Sequence, residues 1–138
     1  MAYWIGHEKL RYLRHPLESS PAKSFSRIVR PWGWYENLGE GDHYLVKRLW
    51  IEAGLRVSLQ RHRHRCEHWV VVSGGGELEV EGQRFRAAPG STLFVPIGAV
   101  HRASAGSHPL EIIEVQRGDD LREDDIERLA DDYGRVPG

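Results

Sequence analysis

The chain has a single cysteine, Cys66, among its 138 residues, so no intrachain disulfide framework can staple it, and a lone thiol fits a reducing compartment. It has no surplus of charge. Its 19 Lys and Arg nearly balance 20 Asp and Glu, which removes the global field expected of a nucleic-acid binder or of a protein held on an anionic membrane. No apolar run approaches the roughly 20 residues needed to span a bilayer. The opening "MAYWIGHEKLRYLRHPLE" also lacks the unbroken apolar stretch of a signal peptide. No internal repeat or low-complexity tract appears. These absences lead to the expectation of a soluble cytoplasmic protein, of a usual size for one domain, with no nucleic-acid or membrane partner.

What is present is a series of short apolar segments separated by turn signals. Residues 1–25 end in "ESSPAKSFS", which has neither the helical nor the strand period, and are read as an N-terminal arm preceding a domain over 26–138. From residue 43, "HYLVKRLWI", "RVSLQRH", "EHWVVVS", "ELEVE", "QRFRA", "STLFVP", "VHRAS" and "LEIIEVQ" are rich in β-branched and aromatic residues. Glycines in "EAGL", "SGGGE", "VEGQ" and "APGS" stand where hairpins need positive φ. The pattern predicts a small all-β barrel or sandwich. Only "EDDIERLADDYG" reads as a helix, with an acidic first turn, an apolar stripe of Ile126, Leu129 and Ala130, and Gly134 as its stop.

Charge is balanced globally and uneven locally: residues 1–70 hold 12 basic and 7 acidic side chains, and residues 71–138 hold 7 and 13. The basic excess surrounds "RHRHRCEH" at 61–68. In an unbroken strand alternate side chains share a face, so Gln60, His62 and His64 would point one way and Arg61, Arg63 and Arg65 the other. After a turn at Arg65 and Cys66, the next strand brings either Glu67 or His68 back beside the histidines; alternation lets only one of them face inward. A further histidine, His101, follows the Pro96-x-Gly98 turn. A lone strand histidine is ordinarily a core or surface residue. Three within seven positions, with a fourth after a tight turn, point instead to a divalent metal, since imidazole suits Zn, Cu, Fe, Ni and related ions. Trp32, Trp34, Trp50 and Trp69 can line a binding platform, but barrel core or dimer interface is the commoner use of such rings.

The two histidine segments resemble the paired motifs of the cupin superfamily. His62 and His64 match the His-x-His of the first motif, His68 stands at its glutamate position, and Gly75 closes it. Gly90, Pro96, Gly98 and His101 match the second, with Ala105 where Asn is usual. A narrower resemblance over roughly residues 28–135 is to the C-terminal domain of type II mannose-6-phosphate isomerases, which are commonly fused to mannose-1-phosphate guanylyltransferases. It rests on "RPWGWYENL", on "SLQ" followed by His62, His64, Arg65, Glu67, His68 and Trp69, and on "DDYGR".

The resemblance implies a cupin double-stranded β-helix, or jelly-roll, barrel with an N-terminal arm and a short C-terminal helix. It also implies a divalent metal, Zn, Mn, Fe, Ni or Co, held by His62, His64, His68 and His101, and a homodimer, as cupin barrels often pair by strand exchange. The activity implied is a metal-dependent mannose 6-phosphate to fructose 6-phosphate isomerisation without guanylyltransferase activity, since no glycine-rich nucleotide-binding signature is present. That reaction needs a Lewis acid on the sugar oxygens and a base near C2. Glu67 and Arg65 are the expected catalytic residues, and Gln60, Lys47 and Arg102 the expected contacts to a small sugar phosphate, with Arg30 as a further cation. Two alternatives stand beside it, a mononuclear-metal dioxygenase and a metal- or sugar-binding module without turnover.

Overall fold

A computed structural model describes residues 26–137, and the expected arm at 1–25 lies outside them. Among the described residues eleven strands follow one another: β1 Arg27–Arg30, β2 Gly33–Gly41, β3 Tyr44–Ile51, β4 Leu59–Arg61, β5 Arg65–Ser73, β6 Gly76–Val80, β7 Gln83–Ala87, β8 Thr92–Val95, β9 His101–Ala105, β10 Leu110–Gly118 and β11 Glu127–Ala130. They form a six-stranded sheet in the order β1-β2-β3-β10-β5-β8 and a five-stranded sheet in the order β11-β4-β9-β6-β7, all pairings antiparallel. This is the expected all-β jelly roll. Among the described residues no helix is long and apolar enough to cross a membrane.

Three neighbouring strands explain where the site forms. On β10 the inward residues run Leu110, Ile112, Glu114, Gln116, all buried. On β5 the inward row is Val71, Trp69, Glu67, Arg65, and on β3 it is Ile51, Leu49, Lys47, Leu45. Register sets these rows side by side, Ile112 against Leu49 and Val71, Glu114 against Lys47 and Trp69, Gln116 against Glu67. The barrel therefore has an apolar end and a polar end built by one alternation continued along each strand. The apolar end is the core, in which Leu110, Ile112 and Ile51 are fully buried beside Trp32, Tyr35, Val57, Leu78 and Val95. Each such side chain contributes about 1.5–3 kcal/mol of burial free energy. Gly74, at φ +81°, closes this end: a Cβ there would collide with the carbonyl of Pro109.

Two expectations are corrected. The first strands, β1 and β2, lie before residue 43; the turn between them supplies Trp32 to the core, and β2 supplies Tyr35. Residues 123–134 form no helix: β11 pairs with β4, placing Arg128 opposite Gln60. The three apolar positions there are too few to make a helical face worth burying. The acidic residues instead reach across to the barrel, Glu127 to Arg61 at 2.8 and 3.0 Å and Asp132 to Arg56 at 2.8 and 2.9 Å. Of the tryptophans, Trp32 and Trp69 are core, while Trp34 and Trp50 stack on each other 5.6 Å apart on β2 and β3, with the Arg27 guanidinium 4.0 Å over Trp34.

Candidate metal centre at the polar end of the barrel

The structure brings together His62, Glu67 and His101, with ligand atoms all within 4.8 Å of one another. Each arrives by a different local device. Glu67 is an inward residue of β5. His101 opens β9 directly after the Pro96–Ala99 turn, where Gly98 takes φ +80° and the Ala99 amide bonds back to the Pro96 carbonyl at 3.1 Å. His62 follows β4, where the chain bends away from strand geometry. The Gly98 amide donates to the His62 carbonyl at 2.8 Å, tying the two histidine segments together.

The proton inventory of this cluster decides what it can hold. The His62 Nδ1–H donates to the Asp125 carbonyl at 2.7 Å and the His101 Nδ1–H to the Ala99 carbonyl at 2.9 Å. Carbonyl oxygens only accept, so each neutral imidazole carries its proton on Nδ1 and turns a bare Nε2 inward. Those two Nε2 atoms are 3.2 Å apart, and the Glu67 carboxylate lies 3.0 Å from one and 3.6 Å from the other. Three lone-pair donors face one another with no imidazole proton among them, and the one N–H aimed at this group of nitrogens is Arg65 Nη2, 3.4 Å from the His62 Nε2. Burial depresses the His101 pKa, only partly opposed by the Glu67 charge, so an imidazolium is disfavoured. A divalent cation satisfies all three, and backbone carbonyls on the far nitrogens are the usual support for histidine ligands.

Glu67 is also anchored from behind. Arg65 Nε donates to Oε1 at 3.1 Å and Trp69 Nε1 to Oε2 at 2.9 Å. Although burial pushes its pKa up, hydrogen bonding and neighbouring positive charge, including that of Arg65, hold it well below the ordinary carboxylate range. The next inward carboxyl behaves oppositely: burial, with the Glu67 charge adding to it, raises Glu114 to about 8. Glu67, one member of the cluster, and Glu114 line a cleft together with Gln60, Lys47, Arg65, Arg30, Arg128 and Arg135.

His64 and His68 stand outside this cluster. The expected alternation past His62 fails because β4 ends at Arg61 and residues 62–64 bend, leaving His64 exposed. His68 faces outward from β5, packed on Phe94 with ring centroids 4.9 Å apart and accepting from Arg117 Nε at 3.0 Å. The inward place beside the histidines is Glu67's. Two histidines and a carboxylate converge here, so the four-histidine set implied by the resemblance is not assembled. Arg102 also points away: it donates to the carbonyls of Val57 at 3.0 Å and Ala130 at 3.4 Å and holds β9 to its neighbours. Lys47 is buried over the Tyr35 ring and paired with Glu123. Sequence reading missed Glu114, Gln116, Asp125, Arg128 and Arg135. Glu114 and Gln116 were legible as the polar members of an alternating strand, while Asp125, Arg128 and Arg135 were hidden by the helical reading of their segment.

A profile of the family described as "Mannose-6-phosphate isomerase C-terminal" matches residues 18–131. The chain is 45% identical, over 98% of its length, to the alginate biosynthesis protein AlgA of Pseudomonas aeruginosa, covering 30% of that protein. It is 43% identical, over 79% of its length, to the mannose-1-phosphate guanylyltransferase of Escherichia coli K12, covering 23% of it. Among solved structures it is similar to the capsular polysaccharide assembling protein CapF of Staphylococcus aureus, with TM-score 0.70 and 16% identity over 79% of this chain and 33% of that one. It is also similar to KdgF of Halomonas sp., with TM-score 0.63 and 19% identity over 74% and 92%; both likenesses concern the fold. The chain thus spans less than a third of these sequence relatives. They correct the expectation of an isomerase defined by the lack of guanylyl transfer: the longer proteins are named for guanylyl transfer or polysaccharide synthesis, and what they share with this chain is one domain.

Proposed function

The chain belongs to the mannose-6-phosphate isomerase C-terminal family, and from that membership we propose that its barrel binds a phosphorylated hexose beside a divalent cation held by His62, Glu67 and His101. The observation that carries the reading is the pair of bare Nε2 atoms 3.2 Å apart against a buried carboxylate. Imidazole with carboxylate suits Zn, Mn, Fe, Ni or Co. When bound, such an ion acts as a Lewis acid toward sugar oxygens. The chain's own residues do the rest. Arg65 and Trp69 fix the orientation of Glu67, Gln60 and Glu114 offer hydrogen bonds along the cleft, and Arg30, Arg128 and Arg135, which also line it, give it the cations that a phosphate group requires. The setting proposed is mannose phosphate metabolism feeding polysaccharide synthesis, consistent with the names of the longer relatives.

Calorimetric titration tests this. Zinc-loaded protein is expected to bind mannose 6-phosphate at least tenfold more tightly than mannose, and His101→Ala to lose that binding. Equal affinity for the two sugars, or unchanged binding by His101→Ala, would overturn the proposal.

A further inference from the structure

The segment after β10, residues 119–135, crosses the polar end of the barrel as a strap, and one residue in it touches the metal cluster's support. Asp125 grips three consecutive residues. Its carbonyl accepts the Nδ1–H of His62 at 2.7 Å, and its two carboxylate oxygens accept the amides of Arg63 and His64, each at 2.9 Å. The carboxylate therefore caps the bend that carries the chain out of β4, and the carbonyl fixes which nitrogen of His62 is bare. Amide bonds to an ionised carboxylate are among the stronger hydrogen bonds.

The strap is itself held down on both sides of Asp125. Glu123 pairs with the buried Lys47, Arg65 Nη1 donates to the Arg122 carbonyl at 3.3 Å, and Glu127 takes both donors of Arg61 at 2.8 and 3.0 Å. The Asp125 amide donates to the Arg122 carbonyl at 3.1 Å and shapes the strap's own turn. The two histidines are thus supported in different ways. His101 is oriented from within its own turn, by a carbonyl two residues away, and His62 by a carbonyl 63 residues away on the strap.

We propose that Asp125 is a positioning residue through which the strap orients His62, so that cation binding and strap docking are coupled. The inference rests on the metal reading of His62, Glu67 and His101. With the strap docked, Nε2 of His62 is pre-set toward Glu67 and His101; with it released, the ring and its tautomer are free. A cation that needs the pre-set ring stabilises the docked strap, and by linkage the docked strap tightens the cation to the same extent.

The test uses the full chain and three measurements: zinc affinity by competition with a chromophoric chelator, hydrogen exchange of amides 119–130 with and without zinc, and the His62 tautomer by nitrogen-15 NMR. In the unsubstituted protein zinc is expected to slow exchange across the strap, and His62 to carry its proton on Nδ1. Asp125→Ala is expected to weaken zinc by at least about tenfold, the range for residues that support a ligand, to abolish the zinc-dependent protection and to mix the His62 tautomers. Asp125→Asn retains an acceptor for one amide and is expected to fall between, and it decides the matter if Asp125→Ala does not fold. A folded Asp125→Ala with unaltered zinc affinity, protection and tautomer would overturn the coupling while His101→Ala, which the strap does not touch, still loses zinc. Absence of zinc binding by the unsubstituted protein would overturn the metal reading and this inference together.

Discussion

Arg65 and Glu67, two residues apart on β5, form an ion pair at 3.1 Å with side chains only 5% and 2% exposed. The pair stands where the barrel's apolar lining gives way to polar side chains, and it presents Glu67 to both histidines. Removing one member leaves the other as an uncompensated buried charge, whose cost exceeds any contact energy gained by the pair. Arg65→Met is expected to destabilise the metal-free protein by about 3–5 kcal/mol. Glu67→Gln keeps one side-chain acceptor, and Arg65 still donates to the Arg122 carbonyl, so it is expected to cost less while removing the carboxylate of the proposed metal site. Urea unfolding of both variants checks the order, and a larger cost for Glu67→Gln would contradict it.

The apolar end predicts a sharp contrast between residues on the same sheet. Ile112 is fully buried on β10, whereas Val70, on neighbouring β5, is 44% exposed. Ile112→Ala is expected to cost about 2–5 kcal/mol through lost burial and the cavity left behind. Val70→Ala is expected to stay within about 0.5 kcal/mol. Thermal and urea midpoints of the two variants measure the difference.

The strap should also register pH. Asp131 accepts from the amide and guanidinium of Arg135, at 2.7 and 2.9 Å, and this bonding lowers its pKa from 3.8 to about 2. A carboxyl lowered on folding contributes stability that is fully present above its unfolded value and is lost as pH falls through the folded one. The contribution is therefore present above pH about 4 and fades toward pH 2. Asp131→Asn is expected to be less stable at neutral pH and to show a shallower loss between pH 4 and 2. Urea midpoints of both proteins across that range measure it, and parallel curves would contradict the assignment.

Much of the barrel was legible because its physics is local. Eight segments with strand composition, separated by glycine turns, appear as β3 to β10, and Gly98 sits in the turn that delivers His101. The site was half legible. His62, Glu67 and His101 were all on the page, but strand alternation was carried one step too far: a long-range cap from Asp125 bends the chain after His62, so His64 leaves the face it would share in a straight strand. The same long-range contacts made "EDDIERLADDYG" a strap with one short strand, because its carboxylates gain more from Arg56, Arg61 and two backbone amides than from a helix with a narrow apolar stripe. Such partners lie more than sixty residues away, and local pattern does not report them.

The most direct test of the central claim is zinc stoichiometry and affinity across four single alanine variants, at His62, His64, His68 and His101. The geometry predicts one zinc per chain in the unsubstituted protein, retained with near-unchanged affinity by His64→Ala and His68→Ala, and lost or weakened by at least about a hundredfold in His62→Ala and His101→Ala. Loss of zinc in His64→Ala or His68→Ala, or its retention in His62→Ala and His101→Ala, would contradict the site.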